Sequence, residues 1–200
     1  MRLNQMETWL MNNPVRAAIQ RHYEVPRLLR LGGLMGAGRV LEVGCGRGRG
    51  VELLLDHLGA GEVHAFDLDP AMVARAARRL APRGDRARLW VGSVTEIPAA
   101  SASYDAVMDF GIIHHVPDWR SALREVYRVL RPGGRFYGEE VYRWFLLNPL
   151  FRRLFEHPQH DRFDHREFGA GLRDVGFDII ADHPVWNTYG WYVADRPASG

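Results

Sequence analysis

Glu42 stands two residues before the first glycine of the run Gly44-Cys45-Gly46-Arg47-Gly48-Arg49-Gly50, which follows the short apolar stretch RVLEV. Glycine loses more entropy on folding than any other residue. Four at alternate positions are therefore expected only where the backbone takes unusual angles or is closely approached. A second acid, Asp67, ends the apolar stretch EVHAFD, where a carboxylate can accept both hydroxyls of a ribose. Two adjacent histidines, His114 and His115, follow the apolar run YDAVMDF, in DFGIIHHVPDW. Histidine is the side chain best suited to take a proton near neutral pH.

These residues need elements to position them, and the chain supplies an alternation. RVLEV, EVHAFDL, RLWVG, YDAVMDFG and RFYGEEVY read as strands. VELLLDHLG, PAMVARAARRLA and WRSALREVYRVL between them read as amphipathic helices, the last ended by RPGG. Such alternation predicts a parallel sheet covered on both faces, with right-handed crossovers. After residue 165 the pattern changes. DHREFGAGLRDVGF reads as a helix ending near Gly176, and FDIIADHPVW with GWYVADRP as an antiparallel hairpin at the end of the sheet. Residues 1–36 carry helical periodicity, with Leu10, Val15, Ala18, Ile19, Leu28, Leu29 and Leu31 as expected buried positions and Pro14 and Pro26 as punctuation.

Composition removes several kinds of chemistry. The chain has 200 residues, 46% hydrophobic and 25% charged, as expected of one globular domain. A single cysteine, Cys45, rules out an internal disulfide and a cysteine-based zinc site, and suits a reducing cytoplasm. All 26 basic residues are arginine. Without lysine there is no Schiff-base nucleophile and no phosphate-binding P-loop. A net charge of +2 argues against nucleic acid as a partner. The cluster ARAARRLAPRGDRARL reads as a solvated helix, with Arg75, Arg78 and Arg79 outward and Met72, Ala76 and Leu80 inward. No apolar run reaches the roughly 20 residues of a membrane span. The first residues, MRLNQMETWLMNNP, lack the apolar core of a secretory signal.

Spacing narrows the ligand of the glycine loop. A dinucleotide fingerprint needs G-x-G-x-x-G, but its last position falls on Arg49 or Val51 in the two available registers. An acid beside the loop repels a pyrophosphate and welcomes an ammonium group. The pocket thus calls for a ribose diol and a cationic amino group without phosphates, a description that S-adenosylmethionine (SAM) meets. At this point VLEVGCGRGRG, AFDLDPAM and YDAVMDFGIIHHVPDWRSALREVYRVLRPGGRF together resemble the class I SAM-dependent methyltransferases, most closely the ubiquinone/menaquinone-biosynthesis-type branch and its small-molecule relatives. The resemblance covers roughly residues 38–140.

It implies an α/β fold, a Rossmann-like doubly wound sheet that is mostly parallel with a reversed C-terminal strand and helices on both faces. It also implies SAM as cofactor and S-adenosylhomocysteine as product. Glu42 and the backbone of Gly44, Cys45 and Gly46 would hold the methionine part, and Asp67 the ribose. Leu68 and Met72 would flank the adenine. Ser93 stands where such families often carry an aspartate for the adenine amino group, with the backbone of Val94 beside it. Asp109, Phe110 and Gly111 would lie next to the sulfonium, and His114 and His115 are the candidate bases.

The single domain divides into an N-terminal helical lid (1–36), the SAM-binding core (37–140), a substrate lid insertion (141–165) and a C-terminal helix and hairpin (166–200). Trp9, Arg21, His22 and Tyr23 are expected on the substrate side. So is VYRWFLLNPLFRRLFEHP, whose Trp144, Phe145, Leu146, Leu147, Leu150, Phe151, Leu154 and Phe155 are bordered by Arg143, Arg152 and Arg153. That composition suits a lid or a peripheral membrane contact through 141–158, and either makes the acceptor hydrophobic. His157, His160, Asp161, Asp164 and His165 lack a recurring ligand spacing, so no metal is expected. The expected function is methyl transfer to a small hydrophobic or aromatic acceptor. Its alternatives are a membrane-associated lipid or quinone methyltransferase and a non-catalytic SAM-binding regulatory or partner subunit. Acceptor atom and oligomeric state are not legible.

Overall fold

The computed structural model of the protein describes residues 13–36, 38–143, 162–186 and 188–198. Seven strands form one sheet: β1 (Arg39–Val43), β2 (Glu62–Asp67), β3 (Ala87–Val91), β4 (Tyr104–Phe110), β5 (Leu130–Val141), β6 (Asp178–Val185) and β7 (Tyr189–Asp195). Their spatial order is β3-β2-β1-β4-β5-β7-β6. β1 to β5 run parallel, and β7 runs antiparallel to both β5 and β6. This is the expected Rossmann-like doubly wound sheet with its reversed C-terminal strand. The chain winds outward from β1 to β3 on one side, then returns to place β4 on the other. The carboxyl ends of β1 and β4 therefore flank a crevice, the usual ligand position in open α/β sheets.

Helices α1 (Pro14–Ile19), α2 (Val25–Gly32), α3 (Arg49–Asp56), α4 (Pro70–Leu80), α5 (Trp119–Val129) and α6 (His165–Val175) cover the sheet. Alternate residues of the central strands feed two cores. Leu41, Val43 and Val107 pack with Leu123 and Val126 of α5 and with Phe168 and Leu172 of α6. Val40, Ala106 and Met108 pack with Leu28 of α2, Leu54 of α3 and Ala76 of α4. Strands buried on both faces explain why RVLEV and YDAVMDF read as near-continuous apolar runs.

Local signals set the helix starts near the crevice. Asp69 caps α4, its carboxylate accepting from the Ala71 amide at 2.9 Å, and Pro70 follows at the first turn. Asp118 caps α5 through the Ser121 amide at 3.0 Å. Asp164 and Glu167 form a reciprocal capping box on α6, which ends at Gly176 in the left-handed region as expected. As expected, Arg75, Arg78 and Arg79 of α4 face solvent while Ala76 and Leu80 are buried.

The N-terminal helix departs from the sequence expectation. Val15, Ala18 and Ile19 are exposed, and the inward face is polar: Gln20 and Glu24 are buried and Arg16 is partly so. Arg16 bonds to both Glu24 and the β5 residue Glu139, so an ion cluster rather than apolar packing seats this helix. Between α1 and α2 the turn Gln20–Glu24 is π-helical, and the chain passes through Pro26 without a break. A widened turn presents Gln20 toward the crevice.

Candidate functional site

At the carboxyl end of β1 the loop turns at Gly44, whose φ of 72° is a left-handed value. A side chain there would also collide with Ile112, so only glycine lets the loops after β1 and β4 approach each other. Glu42 is 2% exposed and reaches under the first turn of α3. A methyl group on Gly50 would strike its Oε1. Its Oε2 is buried and has no hydrogen-bond partner among the described residues. Burial pushes the Glu42 carboxyl well above the ordinary range, and nearby Asp67 and Asp109 add to the shift. A buried acid without a partner, held among other acids, calls for a cation.

Asp67 at the end of β2 is the second anchor. Its Oδ2 accepts from the Gly46 amide and its Oδ1 from the Asp69 amide, both at 2.9 Å. These bonds fix the carboxylate plane and leave each oxygen a further lone pair. Beyond it, Leu68, Met72, Ser93 and Val94 line the same cavity, of about 490 Å³. Ser93 Oγ bonds to Thr95 Oγ1 at 2.8 Å and takes the Thr95 amide at 3.3 Å, so its hydroxyl is partly committed within its own turn. Phe110 and Gly111 at the end of β4 close the opposite wall. Eleven expected cofactor residues line this one cavity, Gly44, Cys45 and Gly46 included. Burial pushes the Cys45 thiol upward, so it sits there as a small neutral group.

The two histidines separate. They share the short 3-10 turn Ile113–His115, and their rings lie 4.1 Å apart at 37°. His115 lines the cavity, whereas His114 turns to the end of β5. There Glu140 takes His114 Nδ1 at 2.6 Å and the Ile113 and His114 amides at 2.8 and 3.3 Å. Asp109, fully buried beside it, accepts from the Ile112 amide at 2.8 Å. Burial and the neighbouring Glu140 push the Asp109 carboxyl well up, and its Oδ2 is buried with no hydrogen-bond partner among the described residues. Burial also raises Glu140, to about 7, against the lowering by Asp109 and the loop amides. Asp109, expected beside the sulfonium, lies off the cavity, and Glu140 escaped the sequence reading, although two acids inside the apolar strand RFYGEEVY were a signal.

The expected substrate-side residues divide as well. Arg21, His22 and Tyr23 are exposed and lie off the cavity, and Gln20 lines it instead. Trp9, Trp144 to Phe155 with Arg152 and Arg153, and His157, His160 and Asp161 lie outside the described residues. Of that last cluster, Asp164 caps α6, and His165 bridges Tyr142 and Asp182, at 2.8 Å to each. No group of metal-ligating side chains occurs among the described residues, and no described helix is long and apolar enough to cross a membrane. Arg47 and Arg49 also line the cavity, which the sequence reading did not foresee.

Residues 40–134 match the family model described as a methyltransferase domain. A demethylmenaquinone methyltransferase of Lactiplantibacillus plantarum is 30% identical over 164 residues, covering 74% of this chain and 68% of that protein. The chain belongs to the class I SAM-dependent methyltransferases. A Mycolicibacterium smegmatis protein named as a probable SAM-dependent methyltransferase is 44% identical over 101 residues. That match covers 50% of this chain but only 37% of the mycobacterial protein. A SAM-dependent methyltransferase from Aquifex aeolicus superposes with a TM-score of 0.75 over 98% of this chain and 100% of its own; at 18% identity it speaks for the fold alone. The family's cofactor is SAM, and the donor set of this methyltransferase fits it. Glu42 Oε2 wants a cation, the Asp67 oxygens accept from hydroxyls, and Phe66, Leu68 and Met72 give an aromatic base an apolar wall.

Proposed function

We propose that this methyltransferase transfers the methyl group of SAM to a small hydrophobic or aromatic acceptor, with His115 as the proton-accepting side chain. The observation that carries the reading is the single cavity in which Glu42, Asp67 and His115 converge. Glu42 would hold the ammonium of the methionine part and Asp67 the ribose diol, with Leu68 and Met72 against the adenine. Ser93 and the Val94 amide, which forms no hydrogen bond among the described residues, would meet the adenine edge. When bound, the cofactor supplies an activated methyl group on a sulfonium, whose bonding pair leaves with a neutral thioether.

The protein's work is then alignment and proton handling. Holding donor and acceptor in line supplies much of the acceleration. His115 receives the acceptor's proton as the new bond to carbon forms. His114, fixed by Glu140, gives that ring a close, tilted neighbour. Phe110, Ile112 and Val116 give the cavity an apolar wall that suits a hydrophobic acceptor and excludes water. Similarity to a demethylmenaquinone methyltransferase supports a quinol-like aromatic hydroxyl or ring carbon as a more specific reading, including one presented at a membrane surface.

Calorimetric titration with SAM and S-adenosylhomocysteine, comparing the protein with its Asp67→Ala variant, tests the cofactor site. Binding in the micromolar range that the substitution abolishes is the expected result. A panel of quinols, phenols and amphiphilic lipids then tests the acceptor by release of S-adenosylhomocysteine. Cofactor binding without turnover on any of them would point instead to a regulatory or partner subunit. No binding at all would end the methyltransferase reading of this chain.

A further inference from the structure

The N-terminal helix turns its apolar residues outward. On its inward face Arg16 joins Glu24 to Glu139 and Gln20 lines the cavity, while Val15, Ala18, Ile19 and Tyr23 are exposed. Val15 is 68% exposed, Ile19 44% and Tyr23 47%. Single exposed apolar residues are ordinary on a protein surface. These recur every fourth residue along one helical run and so form a stripe.

A second element reaches the same rim. Tyr189 pairs with Val141, the last residue of β5, so the turn between β6 and β7 projects past the carboxyl end of the sheet. Trp186 in that turn is 93% exposed, at a left-handed φ of 47° that bulky residues rarely adopt. Tyr189 at the base of the turn sets its buried hydroxyl among Glu139, Glu24 and Arg16, and Tyr23 meets Trp191 edge-on at 5.9 Å. Turn and helix therefore border one another. The charges beside them have one sign. Between Asn13 and Gly36 the single acid is the buried Glu24, whereas Arg21 and Arg30 are exposed and Arg27 lies over the Tyr23 ring at 5.7 Å. Asp182, the acid of β6 nearer the turn, is held by His165 at 2.8 Å.

We propose that this rim docks on an anionic phospholipid surface, with Val15, Ile19 and Tyr23 of the helix and Trp186 of the turn entering the headgroup layer. An interfacial helix combines an apolar face with basic flanks, and tyrosine and tryptophan favour the boundary between lipid and water. Negative headgroups complement the exposed arginines. The same helix sets Gln20 into the cavity from its inner face, so roughly 10 Å, one helix diameter, separates the lipid from the reaction site. A hydrophobic acceptor then has a short path from bilayer to cavity. The inference deepens the hydrophobic-acceptor reading above, but its readout needs neither cofactor nor turnover, so either can fail alone.

The test is co-sedimentation of the full chain with phosphatidylcholine vesicles, made with and without phosphatidylglycerol. Binding should require the anionic lipid and weaken as salt is raised. Val15→Glu combined with Ile19→Glu should lower the partition coefficient roughly tenfold or more. Trp186→Asn, which puts a residue tolerant of left-handed angles in the turn, should lower it about fivefold. Arg21→Gln should also cost about fivefold on anionic vesicles, the share of one basic residue near a charged membrane. Leu34→Glu is the control. Leu34 is 66% exposed but precedes β1 at the opposite end of the sheet, so this variant should bind as the unmodified protein does. An unchanged melting temperature shows that each variant is folded. Failure of the unmodified protein to bind anionic vesicles at low salt overturns the proposal. So does binding that survives the helix and Trp186 variants, or that falls equally in Leu34→Glu. Light scattering without lipid tests the other occupant. A dimer that Val15→Glu with Ile19→Glu turns into a monomer assigns the rim to a second copy of the chain and overturns the lipid assignment.

Discussion

Cofactor binding should release a proton, and Glu42 should be its source. In the free protein burial and the neighbouring Asp67 and Asp109 hold this carboxyl well above its ordinary range, so it keeps its proton to higher pH than an ordinary glutamate does. An ammonium group placed against Oε2 favours the ionised form, and the proton must leave. The sign follows directly. Below the pKa of Glu42 in the free protein, binding costs the work of deprotonation, so affinity rises with pH by up to about tenfold per unit and levels off above it. Titration with S-adenosylhomocysteine between about pH 5.5 and 7.5 keeps the ligand amine charged. Running it in buffers of different ionisation enthalpy counts the protons directly. Up to one proton should be released, and Glu42→Gln should remove that release while weakening binding by roughly 1.5–3 kcal/mol, the worth of a hydrogen bond to a charged group. The same substitution should raise the melting temperature of the free protein. A carboxyl whose folded pKa is raised binds more protons folded than unfolded, so it withdraws stability as pH climbs through the interval between the two values. Proton release that persists in Glu42→Gln, or a pH-independent affinity in the unmodified protein, would refute this account of the acid.

Other consequences are more local. Arg16→Met should destabilise the fold by about 3 kcal/mol, because it leaves Glu24 and Glu139 together without their cation. Burial and Glu139 raise Glu24 to about 8, so the loss of melting temperature should be larger above that pH, where Glu24 is charged, than below it. His115→Asn should lower turnover roughly a hundredfold while S-adenosylhomocysteine affinity stays within a few-fold, the signature of a lost base rather than a lost pocket. Gly50→Ala should weaken cofactor binding, since the added methyl displaces Glu42 Oε1 and Phe110 from the cavity wall.

The sheet was legible because its information is local and redundant. Each parallel strand is a short apolar run, each crossover helix has one apolar stripe, and capping acids such as Asp69, Asp118 and Asp164 mark the starts. Cofactor residues were legible for a related reason, since loops at the carboxyl ends of consecutive strands must meet at the switch in strand order. What failed was orientation. His114 and His115 are neighbours in sequence, and only the turn after β4 decides that one meets Glu140 and the other the cavity. The N-terminal helix failed differently. Val15 and Ile19 have the spacing of a buried stripe, but Arg16, Gln20 and Glu24 have the same spacing one register over. Hydrophobicity chose the first set. The second won because Glu139, more than a hundred residues away, is a buried acid that Arg16 answers.

That long-range charge belongs to a wider pattern. Glu42 is the penultimate residue of β1, Asp67 ends β2, Asp109 lies near the end of β4, and Glu139 and Glu140 lie near the end of β5. Each is held by the protein in a different way. Asp67 is fixed by two amides, Asp109 accepts from the Ile112 amide, Glu140 holds the turn of His114, and Glu139 is paired with Arg16 and accepts from Trp191 Nε1 at 3.2 Å. Glu42, like Asp109, has one buried oxygen with no hydrogen-bond partner among the described residues, but of the two it is Glu42 that lines the cavity. A carboxyl left so costs stability that a glutamine or an alanine would not. In a site that must recognise a cationic amino acid, the cost is recovered when the ligand binds. The acid that most disfavours the free protein thereby becomes the one that favours the complex most.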